Sequence, residues 1–329
     1  MKIGKVPENV LKRSILKQIH TKREEVLIGA GVGEDCAILA FEEDDAVVMS
    51  IDPITGTVQD IGRLAVQITA NDIASAGAEP VAVMISALFP ENITEEEIRH
   101  IMQQAEETCA ALNMQVCGGH TEVTRAVNQP VLTASGIGKV KKVNIIRTGS
   151  AKPGQDVIVS KWIGLEGTSI LAKEKEALLL QKFPAYLVKE AKECDRFLSV
   201  VPEAATAIKS GVRAMHDVTE GGIFGALWEL AESSGVGLEI DLKKIPVKQE
   251  TIEICNYLDI NPYELISSGA MLMTADNGYD IVRALEKEGI HAGVIGKVTD
   301  NNDRVVINEE ERRFLEPPKA DALYEALAK

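Results

Sequence analysis

The stretch IGRLAVQITANDIASAGAEPVAVMISALF at 61–89 carries two periods in succession. Ile61, Leu64, Ala65 and Ile68 recur at helical spacing, which predicts a helix over 61–76. Val81 to Leu88 is continuously apolar apart from Ser86 and reads as a buried strand. Position 72 falls four after Ile68 and eight after Leu64, so Asp72 continues the apolar stripe of its helix, with Asn71 beside it. An acid on a buried face is costly unless it is paired or holds a metal. Asp72 is therefore either a metal ligand or a helix-terminal acid with a structural partner.

Upstream, AVVMSI at 46–51 predicts a strand closed by Asp52-Pro53, which places the Asp52 carboxylate at a strand end. Pro7, Val10, Leu11, Ile15 and Ile19 predict a first helix. Downstream, Thr94 and Glu97 form a capping box for a helix through Ile98, Ile101, Met102, Ala105 and Leu112. Strands follow at 114–117 and 131–137, and GSAKPG at 149–154 is the linker candidate. The second half predicts strands at 156–160, 213–216, 236–240, 270–274 and 293–298. Its predicted helices are 168–180, 203–210, 222–233 and about 319–328. This alternation favours two α+β domains, and 329 residues agree at roughly 150 per domain.

Apolar residues make up 45% and charged residues 26% of the chain, the balance of a globular protein rather than a disordered or collagen-like one. Thirty-five Lys and Arg against 50 Asp and Glu give a net charge of −15, which repels phosphate backbones and anionic membranes; nucleic acid is not the expected partner. The apolar run at 81–89 is too short to cross a bilayer, and MKIGKVPENVLKR lacks the apolar stretch of a signal peptide. Cys36, Cys109, Cys117, Cys194 and Cys255 show no C-x-x-C spacing. Reduced thiols in a cytoplasmic protein are the expectation.

The chemistry lies where acids adjoin glycines. Gly29-Ala-Gly-Val-Gly33-Glu34-Asp35 lacks the Lys of a P-loop and the spacing of a dinucleotide fingerprint. A phosphate bound there needs Mg²⁺ held by acids; the competing reading is a flexible loop with solvated acids. Asp217, Thr219 and Glu220 precede Gly221-Gly222 where a helix begins, so the two acids either hold a metal or cap that helix. Cys117-Gly118-Gly119-His120 offers a C-x-x-H pair without a second cluster, which favours a core cysteine and a turn histidine over zinc. His216 beside Asp217 is either a general base or a structural histidine.

Taken in order, GEDCAIL at 33–39, the Asp52 strand end, 61–83, GGHTEV at 118–123, KPGQDVIVS at 152–160, DVTEGGIFGALWELAESSGVGLEI at 217–240 and GVIGKV at 293–298 resemble the aminoimidazole ribonucleotide synthetase (PurM) superfamily. That group includes thiamine-monophosphate kinase, selenophosphate synthetase and the hydrogenase-maturation protein HypE, and the resemblance is closest on the HypE side. It implies an α+β, two-domain fold: an N-terminal ATP-binding and dimerising domain over 1–148, and an α/β/α-layered C-terminal domain over 149–329. It implies ATP in a cleft shared with a partner subunit, with Mg²⁺ on Asp35, Asp52, Asp72 and Asp217. Gly33, Asn71, Gly118, Gly119, Thr219 and Glu220 would line the nucleotide, and Asp72, His120 and Asp217 would serve the chemistry.

The implied reaction is ATP-driven phosphoryl transfer to a small-molecule or protein-borne acceptor. The alternatives are a HypE-like maturation factor working in a protein complex and a nucleotide-binding protein without catalysis. Three departures bear on the acceptor. His120 stands where the family carries an acid, and Ser267-Ser268-Gly269-Ala270 stands where the kinase carries Gly-Gly-Glu-Asp. No cysteine follows Cys255, so the HypE reaction on a terminal cysteine is not expected.

Overall fold

The computed structural model describes residues 4–5, 10–30, 38–55, 59–317 and 320–328. Gly33 and Asp35 lie outside them. Two compact units divide the chain, Met1–Ala74 with Ala78–Ile145 and Ser75–Gly77 with Ile146–Lys329.

In the first unit β1 (Gly4–Lys5), β2 (Val26–Ile28), β3 (Ile38–Leu39) and β4 (Asp45–Ile54) precede helix α1 (Ile61–Ser75). Then come β5 (Glu79–Phe89), α2 (Glu95–Ala111), β6 (Gln115–Val123) and β7 (Val131–Lys141). Five strands form one sheet in the order β1-β6-β5-β7-β4, with β5 and β6 parallel and the other pairs antiparallel. The helical period of α1 buries Ile61, Leu64, Ala65, Ile68 and Ile73, each large side chain contributing about 1.5–3 kcal/mol. The capping box forms: the Glu97 N–H donates to Thr94 Oγ1 at 3.2 Å and the Thr94 N–H to Glu97 Oε2 at 2.7 Å. The expected first helix differs. Leu11–Ile15 winds as a π turn and Leu16–Gln18 as a 3-10 turn, with Arg13 and Ser14 both tied to Glu95 of α2. Tertiary anchoring overrides local period there.

In the second unit β8 (Asp156–Ser160) is followed by α3 (Leu165–Glu174), α4 (Glu176–Leu179), α5 (Ala185–Lys192) and α6 (Val201–Lys209). Next are β9 (Ala214–Val218), α7 (Gly222–Ser234), β10 (Gly237–Asp241) and α8 (Gln249–Leu258). The remainder is β11 (Ala270–Ala275), α9 (Gly278–Lys287), β12 (Ala292–Thr299), β13 (Arg304–Asn308), β14 (Glu311–Phe314) and α10 (Ala322–Ala328). The seven-stranded sheet runs β14-β13-β10-β12-β8-β11-β9. On one face Ile223, Leu227 and Leu230 of α7 pack with Val157, Val159 and Leu238. On the other, Gly278 at the start of α9 lies against Ile158, because strand neighbours point to opposite sides. Helices α3, α5, α8 and α10 share a separate core of Leu171, Val188, Ile254 and Leu323. No helix of the described residues is long and apolar enough to cross a membrane.

Candidate functional site

Alternation along β4 turns Ala46, Val48, Ser50 and Asp52 toward α1 and leaves Val47, Met49 and Ile51 exposed. Because β4 is the edge strand, the helix face above it opens to solvent. This corrects one expectation. Asp72 is half-buried rather than buried, and it is its neighbour Asn71 that is fully buried, its Oδ1 accepting from Gln67 Nε2 at 3.0 Å. Ser50 joins the two acids: its hydroxyl lies 3.2 Å from Asp52 Oδ2 and also bonds Asp72 Oδ2. One hydroxyl carries one proton and donates to one carboxylate at a time. Two carboxylates meeting on it make a place where a cation is favoured.

His120 lies in β6, not in the expected turn. The Gly118-Gly119 pair that suggested a turn instead brings β6 against β5. Gly119 has φ of 151°, and a Cβ there would sit 2.1 Å from the Ile85 carbonyl oxygen. His120 pairs in register with Ser86, Ser86 with Thr133, and Thr133 with Pro53. Residues so paired share a face, so His120 and Asp52 project from opposite sides of the sheet. The unit thus brings Asp52 and Asp72 together and leaves His120 apart, paired with Glu122 Oε2 at 3.1 Å. A cavity of about 90 Å³ adjoins Gly118, Gly119 and Thr121 on the other face, lined by Leu11, Ile15 and Met102. Cys117 and Cys109 are core residues, and burial pushes the Cys117 thiol up to about 11.

In the second unit alternation along β9 separates His216 from Asp217. His216 pairs with Glu229 Oε2 of α7 at 2.9 Å, while Asp217 is buried, in register with Met271. The turn after β9 closes through the Gly222 N–H to the Thr219 carbonyl at 3.1 Å. Gly222 takes φ of 61°, and a Cβ would meet the Tyr263 carbonyl oxygen at 2.5 Å. The N-cap of α7 is Gly221, with no side-chain cap, so Asp217 and Glu220 do not cap that helix. Glu220 is exposed and accepts from the Tyr324 hydroxyl at 2.5 Å. A cleft of about 270 Å³ opens beside Gly221, lined by Phe224, Glu264, Arg313 and Phe314.

Sequence reasoning passed over Ser50, Glu122, Glu166 and Asp321. Asp321 is 4% exposed and accepts from the N–H groups of Gly221 at 2.8 Å, Ile266 at 3.1 Å and Leu323 at 2.8 Å. An Asp just ahead of a terminal helix is a cap signal, but its bond to Gly221 spans a hundred residues. Among the described residues no three His, Cys, Asp or Glu side chains are grouped to hold a metal.

Comparison with known proteins agrees with this architecture. The family model for the AIR synthase related protein N-terminal domain matches residues 33–140, and that for the C-terminal domain matches 152–308. A Methanocaldococcus jannaschii protein named for hydrogenase expression and formation is 30% identical, over 97% of this chain and 96% of its own. Carbamoyl dehydratase HypE of Rhodobacter capsulatus is 28% identical over 75% of this chain and 70% of its own. Selenide, water dikinase of Dechloromonas aromatica is 27% identical over 68% and 62%. The crystal structure of E. coli HypE, a hydrogenase maturation protein, superposes with a TM-score of 0.81 at 22% identity, covering 97% of this chain and all of that one. HypE in complex with ATP gives 0.80 at 19% identity, covering 97% of each chain. HypE in a HypE–HypF complex gives 0.71 at 22%, covering 84% and 93%.

The chain belongs to the AIR synthase related protein family, with the two-domain PurM-like α+β fold. Within that superfamily it stands near HypE.

Proposed function

We propose that the chain is a Mg²⁺-dependent, ATP-using enzyme that activates a small-molecule or protein-borne acceptor by phosphoryl transfer. The observation that carries this reading is the meeting of Asp52 and Asp72 on the Ser50 hydroxyl. Hard carboxylate oxygens suit Mg²⁺, which is ordinarily held by one or two carboxylates together with the substrate's phosphates. A pair of acids, rather than a closed cage, fits that habit. When bound, the ion supplies charge neutralisation along the phosphate chain. Asp52 and Asp72 would hold it within the first domain (1–148); Asp35, and Asp217 of the second domain (149–329), are proposed as metal-binding acids on the family resemblance.

The remaining assignments follow the same reading. Gly33, Gly118, Gly119, Thr219 and Glu220 would line the nucleotide, with the buried Asn71 supporting its neighbour Asp72; His120, paired with Glu122 on the opposite sheet face, would serve the acceptor only from outside the Asp52–Asp72 pair. Binding and alignment of in-line partners supply most of the catalysis in phosphoryl transfer. A cytoplasmic homodimer accords with the exposed face of β4, where Val47, Met49 and Ile51 are 53%, 69% and 65% exposed. Three apolar side chains in one row on an edge strand are a place for a second copy. A HypE-like role inside a maturation complex is the second reading, favoured by the HypE–HypF complex among the structural relatives.

The test is thermal stability with ATP, with and without Mg²⁺. At ~100 times Kd a ligand adds about 2.7 kcal/mol to the folded state. A rise in Tm that requires Mg²⁺ and disappears in Asp72→Asn is expected. Normal binding by that variant would remove Asp72 from the site.

A further inference from the structure

Of two consecutive arginines on β14, only one is neutralised. Arg312 pairs with Glu239 Oε2 at 3.3 Å, and alternation turns Arg313 to the opposite face of the sheet. There it stands in register with Val306, a member of the core beneath α7. Its guanidinium carbon lies 5.4 Å from the centroid of the Phe224 ring, and that ring is itself stacked on Tyr263 at 5.2 Å and 11°. Arg313 makes no side-chain hydrogen bond or ion pair among the described residues. A guanidinium steadied by a ring rather than by a carboxylate keeps its fork of N–H donors open.

The cleft of about 270 Å³ that Arg313 lines holds a second charge in the same condition. Glu264, next to Tyr263, lines it too, and its carboxylate has no hydrogen bond or ion pair among the described residues. The two opposite charges face one cleft without pairing to each other, which leaves room between them. The wall between is apolar: Phe224 and Leu315 are partly buried against the core. Gly221 and Gly225, four positions apart where α7 begins, add backbone without side chains. No side chain caps α7, so its positive end reinforces the charge of Arg313.

We infer that this cleft binds a small zwitterion, an amino acid with an apolar side chain. Its carboxylate is taken by Arg313 beside the start of α7, its ammonium by Glu264, and its apolar body lies along Phe224 and Leu315. A ligand that is only anionic would set its charge against Glu264, and one that is only cationic would set it against Arg313. Opposite charges on one molecule satisfy both.

Size agrees with that class. The cleft is just smaller than the pockets that enclose drug-sized ligands, as suits a molecule of amino-acid dimensions. All of its lining residues belong to the second unit, and none of them is assigned above to the nucleotide or the metal. The site is therefore independent of the ATP reading.

The experiment uses the full chain without ATP and three probes of one shape. These are L-phenylalanine, hydrocinnamate, which lacks the ammonium, and phenethylamine, which lacks the carboxylate. Binding is followed by NMR titration of each probe. L-phenylalanine is expected to bind in the millimolar range, about tenfold more tightly than either analogue, since each lacks one charged contact. Arg313→Gln should abolish the preference for L-phenylalanine over phenethylamine and keep the preference over hydrocinnamate. Glu264→Gln should do the reverse. Both side chains are exposed, so both variants are expected to keep the wild-type Tm. Absence of L-phenylalanine binding well above the millimolar range, equal affinity for the three probes, or variants that keep both preferences overturns the inference. Each of these results leaves the ATP reading standing, and a missing Mg²⁺-dependent ATP shift removes that reading without touching this one.

Discussion

At the edge of the first sheet Asp52 and Asp72 stay half-buried and meet on the Ser50 hydroxyl, whereas in the second unit Glu166 and Asp321 are sealed beneath a glycine turn. Carboxyl groups with the same intrinsic chemistry are put to opposite uses. Near solvent the two carboxyls meet where a cation can reach them. Beneath the turn each carboxyl must be satisfied by donors or surrender its charge. Asp321 is met by three N–H donors, although burial still raises its carboxyl above the ordinary range, whereas Glu166 Oε2 has none and burial raises that carboxyl to about 7.

Removing the donors' partner breaks that contrast most severely. Asp321→Ala strands three N–H groups in the interior, at a cost of about 1–3 kcal/mol for an unsatisfied buried donor. We expect a loss of about 3 kcal/mol or more in urea unfolding, with a smaller loss in Asp321→Asn, whose single amide oxygen can still accept from Ile266 and Leu323 but not also from Gly221. Equal losses in the two variants would show that packing, and not the N–H bonds, holds the turn.

The next effect has the opposite sign. Glu166 is raised from 4.5 to about 7 in the folded chain, so between those values the unfolded state has released a proton that the folded state retains. Stability from this group is full below about 4.5, falls as pH rises toward 7 and is lost above it. At 1.36 kcal/mol per pKa unit the difference is about 3 kcal/mol as an upper bound. Glu166→Gln, which has no charge to bury, should therefore match the wild type near pH 4 and exceed it at pH 8. Parallel stability curves for the two proteins from pH 4 to 8 would contradict the burial argument.

The smallest effect lies at the exposed end of the same cluster. Tyr324→Phe deletes the hydroxyl that donates to Glu220, which is exposed, and should cost no more than about 1 kcal/mol. It should also return the Glu220 carboxylate to free rotation, seen as a change in the Glu220 side-chain signals by NMR. A loss as large as that of Asp321→Ala would extend the buried regime to the surface of the turn.

Much of the frame was legible because it is local. The Thr94–Glu97 capping box, the 61–75 helix and strand β8 follow from spacing alone. Local cues misled where tertiary contacts outweighed them: Gly118-Gly119 looked like a turn, yet the missing Cβ atoms let β6 run on to Val123 beside β5. The segments at α5, α8, α9 and the β13–β14 pair were not foreseen. Helix α9 shows why, since Ile281 and Leu285 are its only buried large side chains and most of its surface is charged or polar.

What the sequence determined by itself was the two-domain α+β class and the candidacy of Asp52, Asp72 and Asp217, because apolar period and the setting of acids beside glycines are readable within a few residues. Only the tertiary structure decided that Ser50 joins Asp52 to Asp72, that His120 faces away from them, and that Glu166, Ser268 and Asp321 gather at the Gly221 turn. Those relations depend on which strand lies at an edge and on contacts between residues about a hundred positions apart. Burial and hydrogen bonding between such residues are set by the packed fold, and it is these that determine which carboxyls stay charged.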